Sequence, residues 1–215
     1  MLGFNFDVSD FRFFLKAISI NFMKVLESLV NAYNSMFQVK AEDIVKVYTE
    51  IGDELSKKTD NEGALKAYKK VLEVDSGNIH ALSRLGRLYL NYGLANDAIE
   101  VLRKATVLDK TRAKHFYLLG SAYFMVDNNQ DAINAFTEAI RLNPKYSYAY
   151  YKLGLVYDSI SDFDKAIESY ENAISINPNF VKVYQSLGLA YEGKGMREKA
   201  VQYFKKALEK EEKNA

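Results

Sequence analysis

Residues 150–178 read YYKLGLVYDSISDFDKAIESYENAISINP, and the glycine inside this stretch, Gly154, belongs to a series. Gly52, Gly86, Gly120, Gly154 and Gly188 stand 34 residues apart with no insertion or deletion between them. A fixed period of that length marks a repeat array rather than a compact enzyme domain. Other positions keep the register. An alanine follows each glycine at Ala64, Ala98, Ala132, Ala166 and Ala200, and a large apolar residue follows at Tyr68, Leu102, Phe136, Tyr170 and Phe204. Small residues let two short helices approach closely, and the large side chains fill the space on the facing helix. The chain is therefore expected to be all-α, a solenoid of stacked antiparallel helix hairpins.

Each unit reads as helix A, a turn, helix B and a stop. Counting from Val45, the units are 45–78, 79–112, 113–146, 147–180 and 181–215, preceded by a hydrophobic segment over 1–44. Turns fall in the polar or glycine-bearing stretches KKTDNEG, NYGLAND, VDNNQ, SISDFD and GKGMRE. Pro144 and Pro178 occupy the same place in successive units, just past helix B, where proline cannot continue a helix. The position that is apolar in the first four units (Val74, Leu108, Leu142, Ile176), where the next unit would cover it, is Lys210 in the fifth. A polar outer face is what the end of a solenoid requires.

These residues resemble the tetratricopeptide repeat, through its glycine, two alanines and a terminal proline in one ungapped register. Leu102 departs from the usual aromatic, and Ser76, Lys110 and Glu212 from the proline. The resemblance implies a right-handed superhelix whose helix A residues line a partner-binding groove. On that register the groove holds Lys46, Thr49, Glu50, Asp53, Ser56 and Lys57, then His80, Arg84 and Arg87, then Lys114, Tyr117 and Phe124, then Tyr148, Tyr151 and Lys152. It reads as basic in the second unit and aromatic in the third and fourth, which suits an acidic, partly apolar peptide. The carboxylate clamp of chaperone-binding relatives is not matched: its lysine position holds Thr49, Ser83, Tyr117, Tyr151 or Gln185.

Composition bounds the function from the other side. Net charge is +1, so no global field draws the chain to nucleic acid or an anionic membrane. The absence of cysteine removes disulfides and thiolate metal sites. No apolar run is long enough to span a bilayer, and Asp7 and Asp10 sit where a secretory signal would exclude acids. His80 and His115, without a carboxylate cluster, do not amount to a metal site. No phosphate loop and no Ser-His-Asp spacing is present. The expectation is a non-enzymatic cytoplasmic protein with no cofactor, no metal and no catalytic residue.

Residues 9–38 carry a helix start signal at Ser9 or Asp10 and then apolar side chains almost all round, among them Phe11, Phe13, Phe14, Ile18, Phe22 and Met23. Such a helix must be buried somewhere. It either caps the first unit of its own chain or contacts another protein or another copy of itself. The combination of this segment with five regular units is similar to the tetratricopeptide proteins of bacterial magnetosomes. YAYYKLGLVYDS and VYQSLGLAYEGKGMREKAVQYFKKALEKEEK carry that similarity most strongly. It implies a homo-oligomeric scaffold, peripheral on the cytoplasmic face of the magnetosome membrane, whose partners are other magnetosome proteins. A monomeric peptide-binding adaptor of a secretion or pilus assembly is the alternative. Concave and convex faces both remain open as the partner site.

Overall fold

The structure, a computed structural model, describes residues 40–214, and among them it contains ten α-helices. They are α1 Ala41–Lys57, α2 Asn61–Val74, α3 Ile79–Asn91, α4 Ala95–Leu108, α5 Ala113–Met125, α6 Asn129–Leu142, α7 Ser147–Ser159, α8 Phe163–Ile176, α9 Val181–Gly193 and α10 Arg197–Asn214. The described residues fall into two compact units that divide between Leu88 and Tyr89.

In the first unit α1 and α2 form a hairpin. Asp60 starts α2 by accepting a hydrogen bond from the Gly63 amide at 2.9 Å, which satisfies one of the free donors at a helix N-terminus. Ile44, Tyr48 and Leu55 from α1 and Ala64, Ala67, Tyr68 and Val71 from α2 are buried, as are Ala81, Leu82 and Leu85 of α3.

The second unit repeats this construction in the hairpins α5/α6, α7/α8 and α9/α10, and α5, α7 and α9 pack on the helix before each of them. Asn128 and Asp162 cap α6 and α8 through their side chains. One core cluster joins Ala132 and Phe136 to Leu153 and Val156, and a second joins Ala166, Tyr170 and Ala173 to Val183, Leu187 and Ala190.

The periodic glycines have a steric reason. A methyl group on Gly52, Gly120, Gly154 or Gly188 would stand under 3 Å from the ring of Tyr68, Phe136, Tyr170 or Phe204, respectively. Each glycine thus removes a side chain where the partner helix inserts a ring. The turns repeat as well. Thr59, Gly93, Asp127, Ser161 and Gly195, spaced 34 residues apart, all have φ between 55° and 74°. Only two of the five are the glycine that this conformation favours. Helices α6 and α8 stop at Leu142 and Ile176, one residue before Asn-Pro.

Position-by-position covering is less uniform than the sequence pattern suggests. Leu108, expected under the next pair of helices, is 52% exposed, whereas Val74, Leu142 and Ile176, which end their helices at the same place in the repeat, are partly buried.

Candidate functional site

Two groups of polar and aromatic side chains lie on the leading helices, one in each unit. In the first unit Asp53 of α1 is the hub. The Tyr68 hydroxyl donates to Asp53 Oδ1 at 2.7 Å, His80 Nε2 lies 3.0 Å from the same oxygen, and Arg84 Nε lies 3.2 Å from it. The Tyr68 ring meets His80 edge-on at 6.1 Å. Burial raises the Asp53 carboxyl, but the hydrogen bonds from Tyr68 and His80 and the charges of His80 and Arg84 outweigh it and hold the group below the ordinary carboxylate range. Burial pushes the Tyr68 phenol up to about 12, so it remains a donor throughout the physiological range.

This cluster changes the reading of the basic patch. His80 and Arg84 are held by a carboxylate of their own chain, not offered free to a partner. Arg87, one turn further along α3 and partly exposed, makes no ion pair among the described residues.

In the second unit the site is aromatic. Tyr117 of α5 packs against Phe136 of α6 at 5.9 Å and against Tyr146, which precedes α7, at 5.0 Å. Tyr151 of α7 contacts Tyr170 at 6.0 Å and Phe180, which precedes α9, at 5.0 Å. Phe124 packs on the core cluster of Phe136 and Leu153. Tyr117, Phe124 and Tyr151 are therefore largely committed to internal contacts. Tyr148 differs: its ring touches Phe180 at 4.7 Å yet the residue remains 51% exposed. Lys114 is exposed at the start of α5, and Lys152 is half-buried on α7 between the tyrosine turns. Burial, and then the charge of Lys182, lower the Lys152 ammonium from the ordinary lysine value.

Tyr146, Phe180 and Lys182 belong to this surface and escaped the sequence reading: Tyr146 and Phe180 because it counted only positions inside helix A, and Lys182, the second residue of α9, because it followed the groove only through the fourth unit. The signal was present: Tyr146 and Phe180 are 34 residues apart, each immediately before a helix. Phe11, Phe13, Phe14, Ile18, Phe22 and Met23 lie outside the described residues. Of the two histidines considered as metal ligands, His80 sits on Asp53 and His115 is 1% exposed at the start of α5. Among the described residues no helix is long and apolar enough to cross a membrane.

Paired helices, four of the pairs closed by a glycine under a ring and displaying charged and aromatic residues on their leading helices, define a tetratricopeptide-repeat interaction scaffold. Family models agree: tetratricopeptide repeat models match residues 56–120, 147–180 and 181–214, and a TPR repeat model matches 128–160. A fold of this kind is typical of non-enzymatic scaffolds. A search of curated proteins returned no match. Solved structures narrow the class. A crystal structure of MamA protein is 57% identical, with TM-score 0.73, covering 80% of this chain and 94% of that one. A second MamA crystal structure is 60% identical, with TM-score 0.72, covering 76% and 96%. MamA from Desulfovibrio magneticus RS-1 is 25% identical, with TM-score 0.74, covering 80% and 97%. The chain belongs to the MamA family.

Proposed function

We propose that this chain is a self-assembling, non-enzymatic scaffold that coats the cytoplasmic face of the magnetosome membrane and organises other magnetosome proteins there. The observation that carries this reading is 57% identity to a MamA chain over 94% of that chain's length. The units are those bounded at 45–78, 79–112, 113–146, 147–180 and 181–215. Partners dock on the leading helices, in the second unit through Lys114, Tyr148 and Lys152, and in the first unit, as a separate contact, through Arg87. Phe11, Phe13, Phe14, Ile18, Phe22 and Met23 drive association between copies, since so many apolar side chains in one segment demand a covering surface. Attachment to the membrane is peripheral and runs through partner proteins.

Light scattering on the intact chain tests the reading. A large homo-oligomer is expected, and removal of residues 1–40, which spares all ten described helices, is expected to leave a folded and mostly monomeric array. An intact chain that is monomeric would favour a simple peptide-binding adaptor and overturn the scaffold. Sedimentation of the native protein with magnetosomes, with identification of what co-purifies, tests the location.

A further inference from the structure

The two units treat equivalent basic side chains differently. His80 and Arg84 on α3 are met by Asp53, which stands one repeat earlier. The residues 68 positions after His80 and Arg84 are Tyr148 and Lys152, and the residue 102 after His80 is Lys182. The places that correspond to Asp53 for these two lysines hold Ser121 and Leu155. The internal anion is therefore missing. Among the described residues neither Lys152 nor Lys182 makes an ion pair or hydrogen bond.

The surroundings deepen the contrast. Helices α7 and α9 touch, and Phe180 bridges them by packing on Tyr148 at 4.7 Å and Tyr151 at 5.0 Å. Lys152 is half-buried one helical turn after Tyr148 on α7, and Lys182 stands exposed two residues after Phe180. The nearest acid on α7 in the direction of its C-terminus, Asp158, is raised from the ordinary value by burial alone, so it is not the partner of Lys152. A half-buried ammonium that makes no ion pair and feels the charge of a second cation costs the fold stability. Such a group is already desolvated and oriented for an incoming anion, which lowers the entropy and solvation cost of binding one.

We infer that Lys152 and Lys182, together with the Tyr148–Phe180 ring pair, form a receptor for a carboxylate side chain carried beside an apolar residue in an extended acidic segment of a partner protein. The carboxylate takes the place that Asp53 fills in the first unit, and its apolar neighbour lies on the exposed Tyr148 ring. A half-buried ammonium is reached by an entering side chain and not by a planar layer of lipid headgroups. The inference rests on the reading of the chain as a partner-recruiting scaffold and assigns that recruitment its chemistry.

Fluorescence anisotropy on the full chain tests it. The probes are a labelled octapeptide alternating Phe and Asp and the same peptide with Asn for every Asp. Saturable binding of the acidic peptide is expected, with the Asn peptide at least about tenfold weaker. Lys152→Met and Lys182→Met are each expected to weaken the acidic peptide about tenfold, and Lys152→Met is expected to melt no lower than the wild type. Equal binding of the two peptides, or binding unchanged in both lysine variants, overturns the receptor. So does a Lys152→Met chain that melts lower, since the ammonium would then have an internal partner. Sedimentation with phosphatidylserine vesicles that depends on both lysines, without peptide binding, overturns it in favour of a lipid site. A wild-type chain that binds the acidic peptide but captures no magnetosome protein defeats the scaffold reading and leaves the receptor standing.

Discussion

Arg84 Nε lies 3.2 Å from Asp53 Oδ1, an ion pair between the third and first described helices within one unit. The contact joins a residue chosen from the sequence as a partner-binding cation to a carboxylate of the same chain. Its function in the isolated array is consequently structural first.

Arg84→Glu follows directly from that pair. The substitution sets two carboxylates against each other and leaves the Tyr68 hydroxyl and His80 Nε2 as the remaining contacts of Asp53 Oδ1. Both side chains are about one-third exposed, which keeps the effect modest. A loss of about 1 kcal/mol in unfolding free energy is expected from urea titration followed by circular dichroism. Exchanging the charges, with Asp53→Arg added to Arg84→Glu, should recover part of the loss. A partner-binding defect in Arg84→Glu alone would thus report on folding, and Arg87→Glu is the cleaner probe of recruitment.

Gly154→Ala tests the steric basis of the period. The added methyl group would meet the Tyr170 ring under 3 Å, inside a core where Tyr170 and Leu153 have no room to retreat. Overpacking of this kind costs about 1–3 kcal/mol, or a drop of several degrees in Tm. Combining it with Tyr170→Leu should cost less than the sum of the two single changes, because the methyl group then occupies space that the ring has left. Additive losses would mean that the glycine serves the backbone and not the ring.

The fold was legible in the sequence for the same reason. A glycine opposite a ring is a local demand that recurs with every unit, so Gly52/Tyr68 and Gly188/Phe204 announce themselves by spacing alone. The polar cluster was not legible in this way. Asp53, Tyr68, His80 and Arg84 come from three helices and meet once, so no period marks them. Sequence register placed Asp53 and Arg84 on the same lining surface and could not show that they face each other. The left-handed turns were hidden too, since Thr59, Asp127 and Ser161 adopt the backbone of Gly93 and Gly195 without being glycine. Residues that carry strain for a fixed turn length give no compositional sign of it.

His115 gives the array a dependence on pH. Burial lowers its imidazole from the ordinary value of 6.5; the charges of Arg112 and Lys114 act in the same direction, and Asp109 opposes them. The sign follows from linkage. The unfolded chain binds the proton more readily than the folded one, so stability is fully present above the unfolded value of 6.5 and declines as pH falls below it. The Tm of the wild type is expected to drop by a few degrees between about pH 7.5 and about pH 5.5, and His115→Leu to flatten that slope whatever it does to the absolute Tm. Parallel slopes for the two chains would show that other groups set the dependence.

Self-assembly and the aromatic surface make the last test. If the apolar segment of one copy enters the groove of the next, the contact is heterologous and propagates into rings or filaments. The segment that would enter, residues 9–38, is supplied as a labelled peptide to chains lacking residues 1–40. The choice of variant matters. Tyr117 and Tyr151 each hold two other rings, so replacing both by Ala removes internal aromatic contacts of about 0.5–1.5 kcal/mol apiece and confounds binding with folding. Tyr148 is half exposed and, among the rings of the described residues, contacts Phe180 alone, so Tyr148→Ser keeps the core. Insertion into this groove requires saturable peptide binding that is weakened more than about tenfold by Tyr148→Ser, as for an exposed aromatic anchor, and that is displaced by the acidic octapeptide, because both would use the same ring. Binding unchanged in Tyr148→Ser but lost in Tyr117→Ala/Tyr151→Ala, with a lower Tm, would place the defect in the fold and reject the groove. No binding at high peptide concentration would reject insertion altogether and assign the segment to covering its own chain.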